Sequence, residues 1–215
     1  TFVVLAFRYT NTALNVWQDI LYPLQVKDEH TCSNCKVQKA YNNMWEKIKL
    51  DVFRDLREIK LQTSLDFLII TGISLGGGLS VISYIDINHE QIFSKVKVIT
   101  FGAPRVGNKY WAAHFDLITM TRTKRYIVSG DPIVVLPRCL TLLCTYRQTG
   151  IKIVCYEDKQ LCIQEVEIPD NDDEVQIIKH LTKDFIEAEP EDKYDSIMDH
   201  VNGYPKIYNF TLILD

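Results

Sequence analysis

The chain has 215 residues, of which 47% are hydrophobic and 24% are charged, a composition typical of a globular protein with a sizeable core. The net charge of -4 argues against a nucleic-acid partner. No apolar run reaches the ~18 residues that a transmembrane helix needs, so the sequence predicts no transmembrane segment.

Strand and helix patterns alternate from the start of the chain. Residues 1–7 are apolar and rich in β-branched side chains, which predicts a buried strand. Because the chain opens inside this strand, we expect the natural protein to have a further N-terminal segment, and the absence of a targeting signal carries little information. Residues 13–22 have apolar side chains at helical spacing, which predicts a helix. The polar composition of residues 25–36 predicts a loop with at most a short strand.

The central part of the chain continues this alternation. Residues 37–60 carry a 3.6-residue apolar stripe that predicts a long amphipathic helix. The next predicted elements are a strand at residues 64–70, a helix ending near residue 87, a strand at 95–101, a helix at 108–118 and a strand at 124–128. Strands that alternate with helices predict an α/β fold with a mainly parallel central sheet flanked by helices.

The pattern changes after residue 131. Residues 146–155 and 160–168 are β-rich, alternating runs around a polar turn, which predicts an antiparallel hairpin at a sheet edge. An acidic loop at residues 169–173, a short helix at 194–201 and a strand-like segment at 207–214 complete the chain. Since no repeat or linker divides the sequence, we expect a single domain over residues 1–215.

The cysteines occur as three near pairs, namely Cys32 with Cys35, Cys139 with Cys144, and Cys155 with Cys162. An even number in local pairs favours three disulfides and an oxidising compartment, so we expect a secreted or lumenal protein. Two alternatives stay open: the first pair is redox-active or part of a zinc site, or all six are reduced core cysteines. The N-glycosylation sequon at Asn209 lies in an apolar strand-like run, which argues against its use.

A short glycine-rich motif is the most informative stretch of the chain. The apolar run at residues 67–70 is followed by G-x-S-x-G at residues 72–76 and then by small residues typical of a helix start. A nucleophile elbow requires this strand–turn–helix context. Ser74 would then sit in a strained turn with its hydroxyl at the strand's carboxyl end, beside a helix N-terminus that faces any oxyanion. The alternative is a glycine-rich turn with an incidental serine.

A nucleophilic serine needs a general base, and the base needs an orienting carboxylate. Among five histidines, His200 ends a predicted helix and leads into a loop that can reach the elbow. Asp131 follows the strand at residues 124–128, so it emerges at a strand's carboxyl end. The order Ser74, Asp131, His200 is the order that α/β-hydrolases use. The alternative is that Asp131 belongs only to a turn and that His200 is only a solvated surface residue.

Longer strings carry a resemblance to a known family. Beside the elbow, the chain has T-F-G-A-P-R-V-G-N at residues 100–108, S-G-D-P and L-P within residues 129–137, F-R-x-T-x-T and N-V-W-Q-D-I within residues 7–20, and D-H at residues 199–200. In content and order, these strings resemble the class 3 (fungal-type, Rhizomucor-like) lipases of the α/β-hydrolase superfamily. The resemblance covers nearly the whole chain, although the family usually has a further N-terminal segment.

The resemblance implies an α/β-hydrolase-like fold and a serine esterase or lipase that hydrolyses lipid esters through an acyl-enzyme. It implies that Ser74 is the nucleophile, Asp131 the orienting carboxylate and His200 the base. It also implies an oxyanion hole formed by the backbone N–H of Leu75 together with the N–H and hydroxyl of Thr10. Such a reaction needs no metal and no organic cofactor.

The resemblance further implies a lid. Residues 12–21 correspond to the amphipathic lid of the family, so Leu14 and Trp17 would cover the site in water and face lipid when the lid opens. The implied partners are a lipid or other ester substrate and, transiently, a lipid interface.

Three departures from the family pattern support a second hypothesis, a catalytically weak or inactive lipase-like structural or binding component. Tyr9 stands where the family normally has Gly, and Ile73 stands where it normally has His. The family's V-H-x-G-F string reads V-Q-K-A-Y at residues 37–41, with Ala40 in the glycine position. A side chain at Tyr9 could displace Thr10 or crowd the acyl site, whereas none of the departures removes a triad member.

Overall fold

The computed structural model describes residues 1–8, 25–120, 122–137, 146–156 and 161–165. In chain order, the strands of this part are β1 (Val3–Phe7), β2 (Gln25–Lys27), β3 (Lys36–Gln38), β4 (Phe67–Ile73), β5 (Lys95–Phe101), β6 (Gly107–Asn108), β7 (Thr123–Val128), β8 (Tyr146–Arg147), β9 (Ile151–Tyr156) and β10 (Leu161–Glu165). The helices are α1 (Lys39–Thr63), α2 (Leu75–His89) and α3 (Lys109–Thr119), and a 3-10 turn spans Ile133–Val135.

Six of the described strands form the central sheet in the order β1-β4-β5-β7-β9-β10. Its neighbouring strands are parallel except for β9 and β10, which are antiparallel. A second sheet of short antiparallel strands has the order β2-β3-β6-β8. The predicted mainly parallel sheet with an antiparallel hairpin at its edge is therefore confirmed, whereas the second sheet was not predicted.

Apolar side chains pack on both faces of the central sheet. On one face, Leu68 and Ile70 of β4 join a large cluster that includes side chains of all three described helices. On the opposite face, Ile69 and its neighbours on β5, β7 and β9 form a smaller cluster made of strand residues. Burial on both faces explains why the parallel strands appear in the sequence as nearly continuous apolar runs.

Some predicted boundaries are wrong for identifiable reasons. The first strand lies at the edge of the sheet rather than being buried, since Val3 is buried whereas Val4 is 51% exposed. The long helix begins at Lys39 instead of residue 37, because the preceding three residues pair in the second sheet. The strand predicted at residues 64–70 begins at Phe67, after the left-handed Ser64 ends α1.

The run at residues 146–155 does not form one strand. Tyr146–Arg147 pairs with β6 in the second sheet, whereas Ile151–Tyr156 lies between β7 and β10 in the central sheet. Gly150 makes the change of direction with a φ of 77°, and its N–H donates to the Asp116 carboxylate at 2.7 Å. The hairpin prediction is thus correct for β9 and β10, but its first strand is shorter than expected.

Disulfide bridges join two of the three predicted cysteine pairs. Cys32 and Cys35 bridge in the β2–β3 connection, and Cys155 on β9 bridges to Cys162 directly opposite on β10. Cys139 and Cys144 lie outside the described residues. Within the described part of the chain, no three His, Cys, Asp or Glu side chains are placed to hold a metal ion, and no helix is long and apolar enough to cross a membrane.

We expect the Cys155→Ala/Cys162→Ala double variant to lose about 2 kcal/mol of unfolding free energy, because the bridge restricts the unfolded chain. Urea unfolding measures the loss. The Cys32→Ala/Cys35→Ala variant is the comparison: its bridge spans a separation of 3 residues instead of 7, so its loss should be smaller. Equal midpoints for wild type and the Cys155→Ala/Cys162→Ala variant would contradict the expectation.

Candidate active site

Ser74 lies in the turn between β4 and α2. Its φ of 55° and ψ of -119° fall in a region that residues other than glycine rarely adopt. Backbone bonds hold it there: its N–H donates to the Phe101 carbonyl at 2.8 Å, and its own carbonyl accepts from the Gly78 N–H at 3.1 Å. The strand–turn–helix geometry predicted for the elbow is therefore present, with Ser74 at the carboxyl end of β4.

The two motif glycines are required by close backbone contacts. A Cβ at Gly72 would lie 2.3 Å from the backbone of Gly76, and a Cβ at Gly76 would lie 2.0 Å from the Phe7 carbonyl oxygen. Backbone atoms cannot move aside as flexible side chains can. The first turn of α2 therefore packs directly against the ends of both β4 and β1.

Replacing Gly76 with alanine should force this first turn away from β1 and lower the free energy of unfolding by about 1–3 kcal/mol. Gly130→Ala is the comparison, because an added Cβ there meets no atom within 4 Å and only the φ of 88° opposes it. Urea unfolding of both variants measures the difference. A loss at Gly76 no larger than that at Gly130 would show that the contact with Phe7 relaxes without cost.

The Ser74 side chain is fully buried. Among the described residues, its Oγ has no hydrogen-bond partner. Buried hydroxyl groups are ordinarily satisfied, and an unsatisfied one in a strained turn is typical of a functional group rather than a structural one.

Leu75 is the first residue of α2. The first N–H groups of a helix have no partner within the helix, and the helix dipole gives this end a partial positive charge. The Leu75 N–H is thus suited to bind a developing oxyanion. Thr10, the other predicted oxyanion residue, lies outside the described residues, as do the predicted lid residues Leu14 and Trp17.

Asp131 follows β7 after a turn that contains Gly130, whose φ is 88°. Its Oδ1 accepts from the Ile133 N–H at 2.8 Å, and its own N–H donates to the Val128 carbonyl at 3.1 Å. β7 and β4 are both neighbours of β5 and parallel to it, so Asp131 and Ser74 emerge at the same edge of the sheet. Because β5 lies between them, β4 and β7 are two strand spacings apart, or roughly 10 Å, which leaves room for an imidazole between the two side chains.

The described histidines are His30, His89 and His114. None of them directly follows the carboxyl end of a central strand: His30 lies in the β2–β3 connection, His89 ends α2 and His114 lies within α3. His89 is about 20 Å from Ser74 along the helix axis. His200, the predicted base, lies outside the described residues, so its place beside Ser74 stays a prediction.

The T-F-G-A-P-R-V-G-N string supports the elbow from the next strand. Phe101 supplies the carbonyl that binds the Ser74 N–H, as described above. Two residues later, Ala103 packs against α2: a Cβ at Gly77 would lie 2.7 Å from the Ala103 Cβ. At the end of the string, Asn108 caps α3 by accepting from the Trp111 N–H at 3.0 Å. We call residues 101–103 the elbow seat.

Two of the departures from the family pattern fit the fold locally. Ile73 ends β4 and packs against the smaller apolar cluster. Ala40 lies in the first turn of α1, where the Gln38 side chain caps the helix by accepting from the Ala40 and Tyr41 N–H groups. Tyr9 lies outside the described residues.

Tyr41 occupies the space behind the elbow. It is fully buried, and a Cβ at Gly78 would lie 2.3 Å from its Cζ, so its ring packs directly against the first turns of α2. Burial, with a smaller contribution from Tyr146, raises the pKa of Tyr41, so its hydroxyl stays neutral. The sequence placed this residue in a helix stripe and in the V-Q-K-A-Y string, and it gave no sign of the contact with α2.

Comparison with known proteins gives the family. The family described as lipase (class 3) matches residues 4–141. The chain is 30% identical over 118 residues to secreted mono- and diacylglycerol lipase 2 of Gibberella zeae, covering 51% of this chain and 29% of that protein. It is 25% identical over 139 residues to secreted mono- and diacylglycerol lipase A of Penicillium cyclopium, covering 63% of this chain and 43% of that protein.

The fold is also that of solved lipases. Lipase II from Rhizopus niveus superposes with a TM-score of 0.68 at 21% identity, covering 80% of this chain and 64% of that one. The chain spans less than half the length of the two curated relatives above. Because the family match extends over more than half of the sequence, the chain belongs to the class 3 lipase family.

Proposed function

We propose that the protein is a serine carboxylic-ester hydrolase that acts on lipids, with Ser74 as the residue that forms the acyl-enzyme. The observation that carries this proposal is the elbow: a strained, buried Ser74 whose hydroxyl lacks a partner among the described residues, at a helix N-terminus. Membership of the class 3 lipase family supports the same chemistry. The relatives named as mono- and diacylglycerol lipases support an acylglycerol substrate.

In the proposed reaction, His200 accepts the proton of Ser74 Oγ while the oxygen attacks the ester carbonyl carbon. The N–H of Leu75 and the N–H and hydroxyl of Thr10 bind the tetrahedral oxyanion. His200 then protonates the leaving alcohol, and a water molecule activated by the same imidazole hydrolyses the acyl-enzyme. Asp131 holds the imidazole in the required tautomer and stabilises its protonated form.

The same proposal includes a lid and a secreted location for the protein. Leu14 and Trp17 would leave the site and contact a lipid interface when substrate binds, so that the protein meets lipid only transiently. The disulfides and the secreted relatives support a secreted protein.

Hydrolysis of nitrophenyl esters over a series of acyl lengths tests the proposal, with a serine-reactive phosphonate as covalent probe. We expect turnover that the phosphonate abolishes, with the label on Ser74 by peptide mass analysis. The acyl length with the highest kcat/KM identifies the substrate class. Folded protein that neither hydrolyses any ester nor reacts with the phosphonate would instead support the structural or binding component.

A further inference from the structure

The side chain of Gln148 joins two segments that are distant in sequence. Gln148 lies between β8 and β9 and is half-buried. Its carboxamide nitrogen donates to the Ala103 carbonyl at 2.9 Å and also to the Val134 carbonyl. Because both partners are acceptors, only the NH2 group can face them, and its two hydrogens satisfy both.

The two carbonyls belong to the segments that hold Ser74 and Asp131 in place, which we call the supports of these two residues. Ala103 is part of the elbow seat, which binds the Ser74 N–H and packs against Gly77. Val134 lies in the 3-10 turn that begins at Ile133, the residue whose N–H binds the Asp131 carboxylate. Gln148 therefore connects the support of Ser74 to the support of Asp131 through one side chain.

A backbone hydrogen bond also connects the two segments. The Arg105 N–H donates to the Leu136 carbonyl at 2.6 Å, which ties the segment after the elbow seat to the end of the 3-10 turn. This bond would survive a change at Gln148. Losing the side chain should therefore loosen the spacing of the two supports without separating them.

We propose that Gln148 is a positioning residue that sets the Asp131 carboxylate relative to Ser74. The inference rests on the proposed function, because it assigns Gln148 a role in the spacing of that triad. A misplacement of about 1 Å in a catalytic group can cost on the order of 100-fold in rate. With the Arg105–Leu136 bond retained, we expect a loss of about tenfold.

The test compares Gln148→Met, which keeps the length of the side chain but removes both donors, with Gln164→Met, a change at an exposed residue of β10. Gln148→His, which keeps one N–H donor, is the rescue variant. Phosphonate titration gives the concentration of reactive sites, so that kcat is expressed per site. The pH profile of kcat/KM reports the pKa of the general base.

For Gln148→Met we expect kcat per titrated site to fall about tenfold with KM changed less than about twofold, since positioning affects the transition state more than substrate binding. The acidic limb of the profile should move to lower pH, because a more distant carboxylate stabilises the protonated imidazole less. Gln148→His should fall between Gln148→Met and wild type, and Gln164→Met should match wild type.

If the role of Gln148 were purely structural, Gln148→Met would show a lower thermal midpoint or fewer titratable sites, with kcat per site and the acidic limb unchanged. That result would overturn the inference. If Gln148→Met does not fold, kcat per site and the acidic limb of Gln148→His are compared with those of wild type, and the same criteria decide whether Gln148 positions Asp131. An active wild type with unchanged variants overturns only the role of Gln148. A wild type that neither turns over ester nor takes the label overturns the proposed function and this inference together.

Discussion

Replacing Ser74 with alanine should lower kcat for ester hydrolysis on the order of 10⁶-fold, because the variant lacks the hydroxyl that we propose forms the acyl-enzyme. The backbone should keep its shape, since the bonds from Ser74 N–H to Phe101 and from Gly78 N–H to Ser74 involve main-chain atoms only. The loss should therefore be seen in kcat, with the thermal midpoint nearly unchanged. Hydrolysis of the best nitrophenyl ester and mass analysis after phosphonate treatment measure both activity and labelling.

Ser83→Ala is the matched control for this variant. Ser83 is a buried serine on α2 whose Oγ donates to the Ser80 carbonyl at 3.2 Å. Its replacement removes the same hydroxyl group at a position outside the turn. We expect it to retain activity and labelling. Persistent phosphonate labelling of Ser74→Ala, or an equal loss of activity in both variants, would contradict a nucleophilic role for Ser74.

Replacing Asp131 with asparagine should lower kcat on the order of 10⁴-fold while leaving the local geometry intact. The asparagine oxygen can still accept from the Ile133 N–H, so the turn after β7 should be retained. The amide nitrogen, however, donates where the carboxylate would accept, and it stabilises the imidazole tautomer that cannot take the Ser74 proton. The magnitude is the one known for the same substitution in serine proteases.

Asp51→Asn is the control for this substitution, because Asp51 is exposed on α1 and pairs only with Arg54 among the described residues. Both variants should unfold at nearly the wild-type urea concentration. An Asp131→Asn variant that keeps activity within about tenfold of wild type would show that another carboxylate orients the base. Phosphonate labelling that is slow but present in Asp131→Asn would agree with an intact Ser74 and an impaired base.

The sequence alone determined those features that depend on residues close together in the chain. The elbow is one, since the contact between Gly72 and Gly76 and the strain at Ser74 arise within five consecutive residues. The strand at residues 95–101 is another, because a buried parallel strand is long enough to show its apolar run. The sequence also predicted the pairing of Cys155 with Cys162 from their short separation, since closing a short loop costs little entropy, and the structure decided against reduced cysteines at these positions.

The positions of Thr10 and His200 remain predictions, whereas Ser74, Leu75 and Asp131 could be placed by local rules. A residue that directly follows a parallel strand must emerge at the carboxyl edge of the sheet. His200 follows a predicted helix rather than a strand, so no such rule gives its place.

Only the tertiary structure decided the features that join distant parts of the chain. The second sheet pairs Val37 with Gly107 through strands of two or three residues, which are too short to show a period-2 pattern. Gln148 reaches carbonyl groups that lie 45 and 14 residues away, and a lone glutamine in a polar stretch carries no signal of this. Local patterns specify which elements form, whereas contacts across the fold depend on the order in which the sheet arranges its strands.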